Sequence, residues 1–178
     1  MNTLRTAART AASSGLRARA GARSVAIEAK LAGMGAKLPA VGAPKGSYVL
    51  CTRSGDLLFT AGHLPQPADG PLVTGKVGQD LTAEEGAEAA SLAFYSLMST
   101  LKAELGDLDR IEKFVKVVAF VNCVDGFGAQ PTVVNGFSDL VGEVFGPEVG
   151  SHARSAVGTN ALPLNVPVEI EVIVRVKD

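Results

Sequence analysis

Two stretches of the chain place apolar residues at the spacing of a helix that buries one face. After the capping sequence Thr82-Ala83-Glu84-Glu85, apolar residues recur with helical periodicity until Gly106. A second stripe of this kind begins at Pro131 and stops at Gly146-Pro147. The pattern therefore predicts two helices, the first between Thr82 and Gly106 and the second from Pro131 to the residue before Gly146.

Alternation and short apolar runs predict strands elsewhere. Residues 48–52 and 56–60 are short strand candidates, separated by a turn at Arg53-Ser54-Gly55. Residues 114–121 are apolar at almost every position, which is typical of a strand covered on both faces. Residues 151–176 predict two more strands joined by a connection that contains proline, and the second strand alternates apolar residues with glutamates.

The predicted order of elements is β-β-α-β-α-β-β, an α+β arrangement. Residues 28–47 are predicted to be irregular, and residues 61–81 form a long loop that contains His63, three prolines and four glycines. Two helices can cover one face of a sheet, but the central strand is apolar on both sides. A second copy of the chain is the simplest cover for the other face, so we predict a closed homo-oligomer.

The first 27 residues differ in composition from the rest of the 178-residue chain. They contain five arginines with many alanines and serines, and no acidic residue precedes Glu28. This composition is typical of an organelle transit peptide. We predict a mitochondrial matrix location, with a plastid or the cytosol as alternatives and a basic disordered tail as the other interpretation of the segment. Residues 28–178 are predicted to form a single domain.

Charge and residue spacing exclude several classes of function. Residues 28–178 carry 12 basic and 18 acidic residues, so this part is a poor partner for nucleic acid. No apolar run approaches the ~20 residues of a membrane span. Cys51 and Cys123 are expected to be free thiols. Because His63 and His152 lie far apart in the sequence with no cysteine cluster near either, a structural metal site is not expected.

Arg154 is the most distinctive polar residue in the last pair of strands. It stands among small residues, which are Ala153, Ser155, Ala156 and Gly158. These neighbours leave room beside the guanidinium, which can donate two parallel hydrogen bonds to a planar anion. The sequence therefore favours binding of a carboxylate at Arg154.

Six segments in order resemble the YjgF/RidA family, which is also called endoribonuclease L-PSP. They are LLFTAGHLP (57–65), GKVGQDLT (75–82), VKVVAFV (115–121), VNGFSDL (134–140), HARSAV (152–157) and LP followed by VEIE (162–171). The resemblance implies a chorismate-mutase-like mixed sheet with two helices on one face, assembled as a homotrimer with clefts between subunits.

The resemblance also implies an activity, which is the hydrolysis of reactive 2-enamine and 2-imine acids such as 2-aminoacrylate to 2-keto acids and ammonia. Arg154 matches the residue that binds the substrate carboxylate, and Glu169 matches the one that holds or activates water. Tyr48, Gly62 and Asn135 match residues that line the same cleft. No cofactor or metal is implied. Glu171 and His152 are expected to be structural.

Two departures from the family pattern concern this activity. Ala156 stands where many active members have a cysteine two residues after the arginine, and Ala61-Gly62-His63 replaces the usual SGQ or SGN. His63 is predicted to be a surface or turn residue, with a catalytic role as the alternative. The altered positions leave a second function open, that of a non-catalytic trimer that binds 2-keto acids. A ribonuclease or translation inhibitor is the third, disfavoured by the acidic charge and the 5% aromatic content.

Overall fold

A five-stranded mixed sheet with helices on one face makes up the described part of the chain, residues 27–177 of a computed structural model. The predicted leader lies outside the described residues except for Ile27. The elements in chain order are α1 (Ile27–Gly33), β1 (Cys51–Ser54), β2 (Leu57–Thr60), α2 (Ala83–Leu105), β3 (Ile111–Asn122), α3 (Gln130–Gly150), β4 (Ala153–Thr159) and β5 (Val168–Val176). The short 3₁₀ turns Leu108–Arg110 and Pro163–Asn165 precede β3 and β5.

The strands are ordered β1-β2-β5-β3-β4 across the sheet. The neighbouring pairs are antiparallel except β3 and β4, which run parallel and are joined through α3. A parallel pair requires such a crossover because a short turn can join only antiparallel strands. The mixed α+β sheet predicted from the sequence is confirmed.

The helices and one face of the sheet enclose the hydrophobic core. Alternate residues of β5, from Val168 to Val176, are buried, as the alternation predicted. Phe94 of α2 packs edge-to-face against Phe137 of α3 at a centroid distance of 5.8 Å, and both side chains are fully buried. The predicted capping box at Thr82 is present, since its side chain accepts from Glu85 N and the Glu85 carboxylate accepts from Thr82 N. Across residues 27–177, no helix combines the length and apolar character needed to cross a membrane.

Two predicted boundaries are wrong, and one is confirmed. The segment expected to be irregular contains α1, whose Leu31 is buried in the core although no apolar stripe predicted a helix there. The second long helix is interrupted at Gly146 as predicted, where φ is 74° and ψ is 172°, and a further short helical segment then runs to Gly150. The first strand begins at Cys51, so Tyr48 lies in the connection before it.

The face of the sheet opposite the helices is partly exposed in the protomer. Val118 and Phe120 of β3 and Ile173 of β5 are only half-buried there, beside the glutamates of β5. Val157 on the edge strand β4 is 44% exposed. Half-buried apolar side chains and carboxylates therefore lie side by side on this face.

Candidate functional site

Arg154 lies on β4 and faces the helices. Its Cα partner across the parallel pair is Val117, whose side chain is fully buried in the core, so the two side chains share the helix-covered face. Nη1 donates to Asn135 Oδ1 at 2.9 Å and to Ser138 Oγ at 3.0 Å, and Nη2 makes a longer contact of 3.4 Å with Pro131 O. Helix α3 therefore fixes one side of the guanidinium.

His152 extends this group of hydrogen bonds. Its Nδ1 lies 2.6 Å from Gly150 O, which can only accept, so we assign the ring proton to Nδ1. The other nitrogen, Nε2, then accepts from Ser138 Oγ at 3.0 Å. The Ser138 hydroxyl is thereby oriented so that its oxygen accepts from Arg154, and the expected structural role of His152 is to hold this arrangement.

Glu169 lies on β5 and points away from the helices. It is paired with Phe120 of β3, and in a strand successive side chains alternate between faces. The carboxyl group is half-buried, and its pKa is raised first by burial and second by the negative charge of Glu171. A glutamate in this setting holds its proton more readily than an ordinary surface glutamate does.

Gly62 gives the Glu169 carboxylate its space. A β-carbon at position 62 would overlap Glu169 Oε1 and come within 2.7 Å of its Cγ. An alanine at this position would therefore force the Glu169 carboxyl group out of the place it occupies here. Its chain neighbour His63 pairs with Ile170 through two backbone hydrogen bonds of 2.8 and 3.0 Å, which holds the loop against β5.

A cavity of about 550 Å³ opens beside Glu169. We call it the Glu169 cavity, and its walls are Lys45, Tyr48, Gly62, Leu64, Pro163, Leu164 and Glu169. Three residues predicted from the family pattern, Tyr48, Gly62 and Glu169, thus lie together. The arrangement places a carboxylate with a raised pKa in a partly desolvated space that is large enough for a small organic acid and water.

The predicted site residues form two groups in the protomer. Arg154 and Asn135 lie together at the junction of β4 and α3, on the helix side of the sheet. Glu169 with Tyr48 and Gly62 lies on the other side, and the strand β3 separates β4 from β5. Arg154 and Glu169 therefore do not meet within one described chain.

His63 is buried, and the prediction of a surface or turn residue is wrong. Only 6% of it is exposed, and both ring nitrogens are used, Nδ1 towards Ala61 O and Nε2 towards Thr100 Oγ1, each at 2.9 Å. Burial lowers its pKa to about 4, against the weaker opposing effect of the hydrogen bond to Ala61. A neutral imidazole with both nitrogens occupied anchors the loop to α2.

Two residues of this region were missed by sequence reasoning. Ser138 follows Asn135 by three positions on α3, and that spacing places both side chains on one helix face, a signal that was present in the sequence. Leu164 lines the Glu169 cavity with a φ of 58°. Pro163 and Asn165 are turn-forming residues, and Asn165 also has a positive φ of 55°, so the sequence carried a signal for the turn but none for a left-handed leucine.

A cluster of carboxylates lies away from both groups. Glu28, Asp107 and Asp109 have oxygens within 4.8 Å of one another. Each carboxylate accepts a backbone hydrogen bond, from Leu108 N, Asp109 N and Ile27 N respectively. These contacts join the start of α1 to the turn before β3, which accounts for the cluster without a bound ion.

Comparison with known proteins extends over nearly all of the described chain. The family model described as "YjgF/chorismate mutase-like, putative endoribonuclease" matches residues 28–174. The chain is 43% identical over 152 residues to Protein TCP17 of Trypanosoma cruzi, a match that covers 85% of this chain and 95% of that protein.

Two solved structures have the same fold. Protein Atu1372 of Agrobacterium tumefaciens, described as having unknown function, is 39% identical with a TM-score of 0.77, and the match covers 85% of this chain and 94% of that one. A second structure, from Shewanella oneidensis MR-1, carries the same endoribonuclease designation as the family. It is 30% identical with a TM-score of 0.81, and the match covers 85% of this chain and 99% of that one.

Proposed function

The chain belongs to the YjgF/chorismate mutase-like family, and from that membership we propose that it hydrolyses 2-enamine and 2-imine acids of the 2-aminoacrylate type. The products are a 2-keto acid and ammonia. The observation that carries the proposal is the pair of complementary groups on one protomer. One is an arginine held by Asn135 and Ser138, and the other is a half-buried glutamate beside a cavity.

In this proposal the reaction takes place between copies of the chain in a homotrimer. The Arg154 group of one protomer would face the Glu169 cavity of the next, because the two groups lie on opposite sides of the sheet. The half-buried apolar residues Val118, Phe120 and Ile173 around Glu169 support such a contact, since burying them against a second copy removes apolar surface from water.

Arg154 would bind the substrate carboxylate. Its Nη1 already donates to Asn135 and Ser138, whereas Nη2 has one long contact and Nε has no hydrogen bond within residues 27–177. The edge formed by Nε and Nη2 can donate two parallel hydrogen bonds to a carboxylate. The contacts to α3 hold the guanidinium in one orientation before substrate arrives, which lowers the entropy lost on binding.

Glu169 would act as the general base and later as the general acid. As water attacks the protonated imine carbon, its oxygen forms the new C–O bond and Glu169 takes one proton from the water. Glu169 then returns that proton to the nitrogen. As the C–N bond breaks and ammonia leaves, Glu169 takes the remaining hydroxyl proton, the carbonyl forms, and that proton passes to the solvent. An enamine first gains a proton from the solvent on its β-carbon and becomes the protonated imine. The raised pKa of Glu169 favours this exchange near neutral pH.

A mixing experiment tests the shared site. Arg154→Ala and Glu169→Gln are each expected to lose turnover of 2-aminoacrylate, generated in situ by a pyridoxal-phosphate enzyme, while staying folded and oligomeric. When both variants are expressed together, about one quarter of the clefts in randomly mixed trimers combine an intact arginine with an intact glutamate. Keto-acid formation should then recover to about one quarter of the wild-type rate.

The control mixes Arg154→Ala with the double variant, which leaves no cleft with an arginine and should show no recovery. Failure of the first mixture to recover, in mixed trimers verified by two different affinity tags, would refute a site shared between copies. Wild-type protein that does not accelerate keto-acid formation would refute the deaminase itself.

A second candidate function is binding of a small 2-keto acid without catalysis. Ala156 supports it, because no thiol stands beside Arg154 and Glu169 would have to perform the proton transfers alone. Binding of a keto acid that is lost in Arg154→Ala, together with no acceleration of hydrolysis, would select this function. Ribonuclease activity ranks third, since residues 28–178 carry six more acidic than basic residues.

A further inference from the structure

A second cavity adjoins the Glu169 cavity and continues away from it. Its volume is about 480 Å³, within the range of cavities that bind small organic molecules. Five residues line both spaces, namely Lys45, Tyr48, Gly62, Leu64 and Leu164. We call the second space the lead-in cavity, because residues 39–45, which lead into the first strand, form its outer wall.

The outer wall is fastened to the core at one of its ends. There the carbonyl of Pro39 accepts from Ser99 Oγ of α2 at 2.8 Å. At the other end Lys45 N donates to the hydroxyl of Tyr48, three residues later in the same segment, at 3.2 Å, which fixes the local turn. The opposite walls come from the loop after β2, with Leu72 and Ala68, and from Thr100 of α2. With Leu164 from the turn before β5, four separate segments build the cavity.

Three polar side chains on the inner walls direct their hydrogens into the protein. The Thr100 hydroxyl lies 2.9 Å from Nε2 of the neutral His63, to which it donates. Ser96 Oγ donates to Gln66 O at 3.4 Å, and the Gln66 amide donates to the carbonyls of Pro67 and Gly70. Lys45 and Tyr48 add polar groups at the end shared with the Glu169 cavity, and most of the remaining side chains in the lining are proline, alanine, valine and leucine.

Leu164 stands where the two cavities meet. Its side chain is 56% exposed and its φ of 58° is unusual for a leucine, so tertiary contacts must impose it. The buried Asn122 provides them, since its amide donates to Val166 O at 3.1 Å and to Asn165 Oδ1 at 3.2 Å. The backbone of the turn is fixed, and it keeps an apolar side chain at the junction.

We propose that the lead-in cavity receives the side chain of the substrate, and that this side chain is apolar with about four or more carbons. This inference rests on the proposed function, in which Arg154 of a neighbouring copy binds the carboxylate and Glu169 serves the reacting carbon. The substrates would then be the imines of amino acids such as leucine or phenylalanine. A small substrate such as 2-aminoacrylate would leave the cavity filled with water.

Binding of stable products tests the cavity without requiring turnover. Titration calorimetry of the full chain with 4-methyl-2-oxopentanoate, pyruvate and 2-oxoglutarate should show about tenfold tighter binding of the first than of the other two. Ala68→Phe places an aromatic ring on the cavity wall and should remove that preference. Ala103→Phe, an equal change on the exposed face of α2, is the matched control and should keep it.

Equal affinity for all three acids, no binding of any, or an unchanged preference in Ala68→Phe would overturn the inference. Tighter binding of 2-oxoglutarate would overturn it in favour of recognition by Lys45. The rate of imine hydrolysis distinguishes failure of this inference from failure of the proposed function. If the protein binds 4-methyl-2-oxopentanoate preferentially but accelerates the hydrolysis of no imine, the deaminase proposal fails and the inference about the cavity stands. If the protein hydrolyses only 2-aminoacrylate and shows no such preference, the deaminase proposal stands and the inference about the cavity fails.

Discussion

His63 makes the stability of the fold depend on pH in a direction that follows from its surroundings. Its pKa is lowered by burial from the ordinary 6.5 to about 4. Between these two pKa values the unfolded chain binds a proton at His63 that the folded chain excludes. The neutral His63 therefore makes its full contribution to the unfolding free energy above pH 6.5, the pKa in the unfolded chain. That contribution is lost as the pH falls towards the pKa of about 4 in the folded chain. At about 1.36 kcal/mol per pKa unit, the difference corresponds to about 3 kcal/mol of unfolding free energy.

The variant His63→Gln isolates this contribution. Its amide can donate to Ala61 O and accept from Thr100, but it does not titrate. Urea unfolding at fixed protein concentration should show that wild-type protein loses about 3 kcal/mol more than the variant between about pH 7 and pH 4. An equal loss in wild type and His63→Gln would refute the reasoning.

Three further predictions concern the site and the core. Gly62→Ala should lower kcat/KM about 100-fold with the fold retained, because the new β-carbon displaces the Glu169 carboxylate. An unchanged kcat/KM, with a circular dichroism spectrum like that of wild type, would contradict this. Ser138→Ala should lower kcat/KM about tenfold, mainly by raising KM, because Arg154 Nη1 loses one of its two hydrogen-bond acceptors. Steady-state kinetics that show an unchanged KM would count against this. Phe137→Ala should destabilise the chain by about 3–5 kcal/mol in urea unfolding, since the ring is fully buried against α2, and a loss below about 1 kcal/mol would disagree with the packing described.

Local patterns predicted the elements that local physics determines. The alternation in β5 and the cap at Thr82 are properties of neighbouring residues, and both appear in the structure as expected. The helix α1 was missed because only the buried Leu31 and the partly buried Ile27 hold this short segment against the core, and two residues make no stripe. Its stability comes from tertiary packing, which composition does not reveal.

The candidate site depended on relations that span the chain. The faces of Arg154 and Glu169 are set by their register with β3, at Val117 and Phe120 respectively, and a one-residue shift would reverse either one. The burial of His63 likewise depends on pairing with a strand more than a hundred residues later in the sequence. The residue types could be recognised in the sequence, whereas the separation of the two groups required the fold.

The position of β5 in the sheet has a consequence for how the chain is made. This strand is the last to be synthesised, yet it lies between β2 and β3 and pairs with both. Until it leaves the ribosome, the first hairpin and the β3–β4 pair have no strand to join them, and loops of high contact order remain to be closed. The sheet can be completed only after residues 168–176 have been synthesised, and a premature stop codon before Val168 would leave two fragments of sheet with no strand to join them.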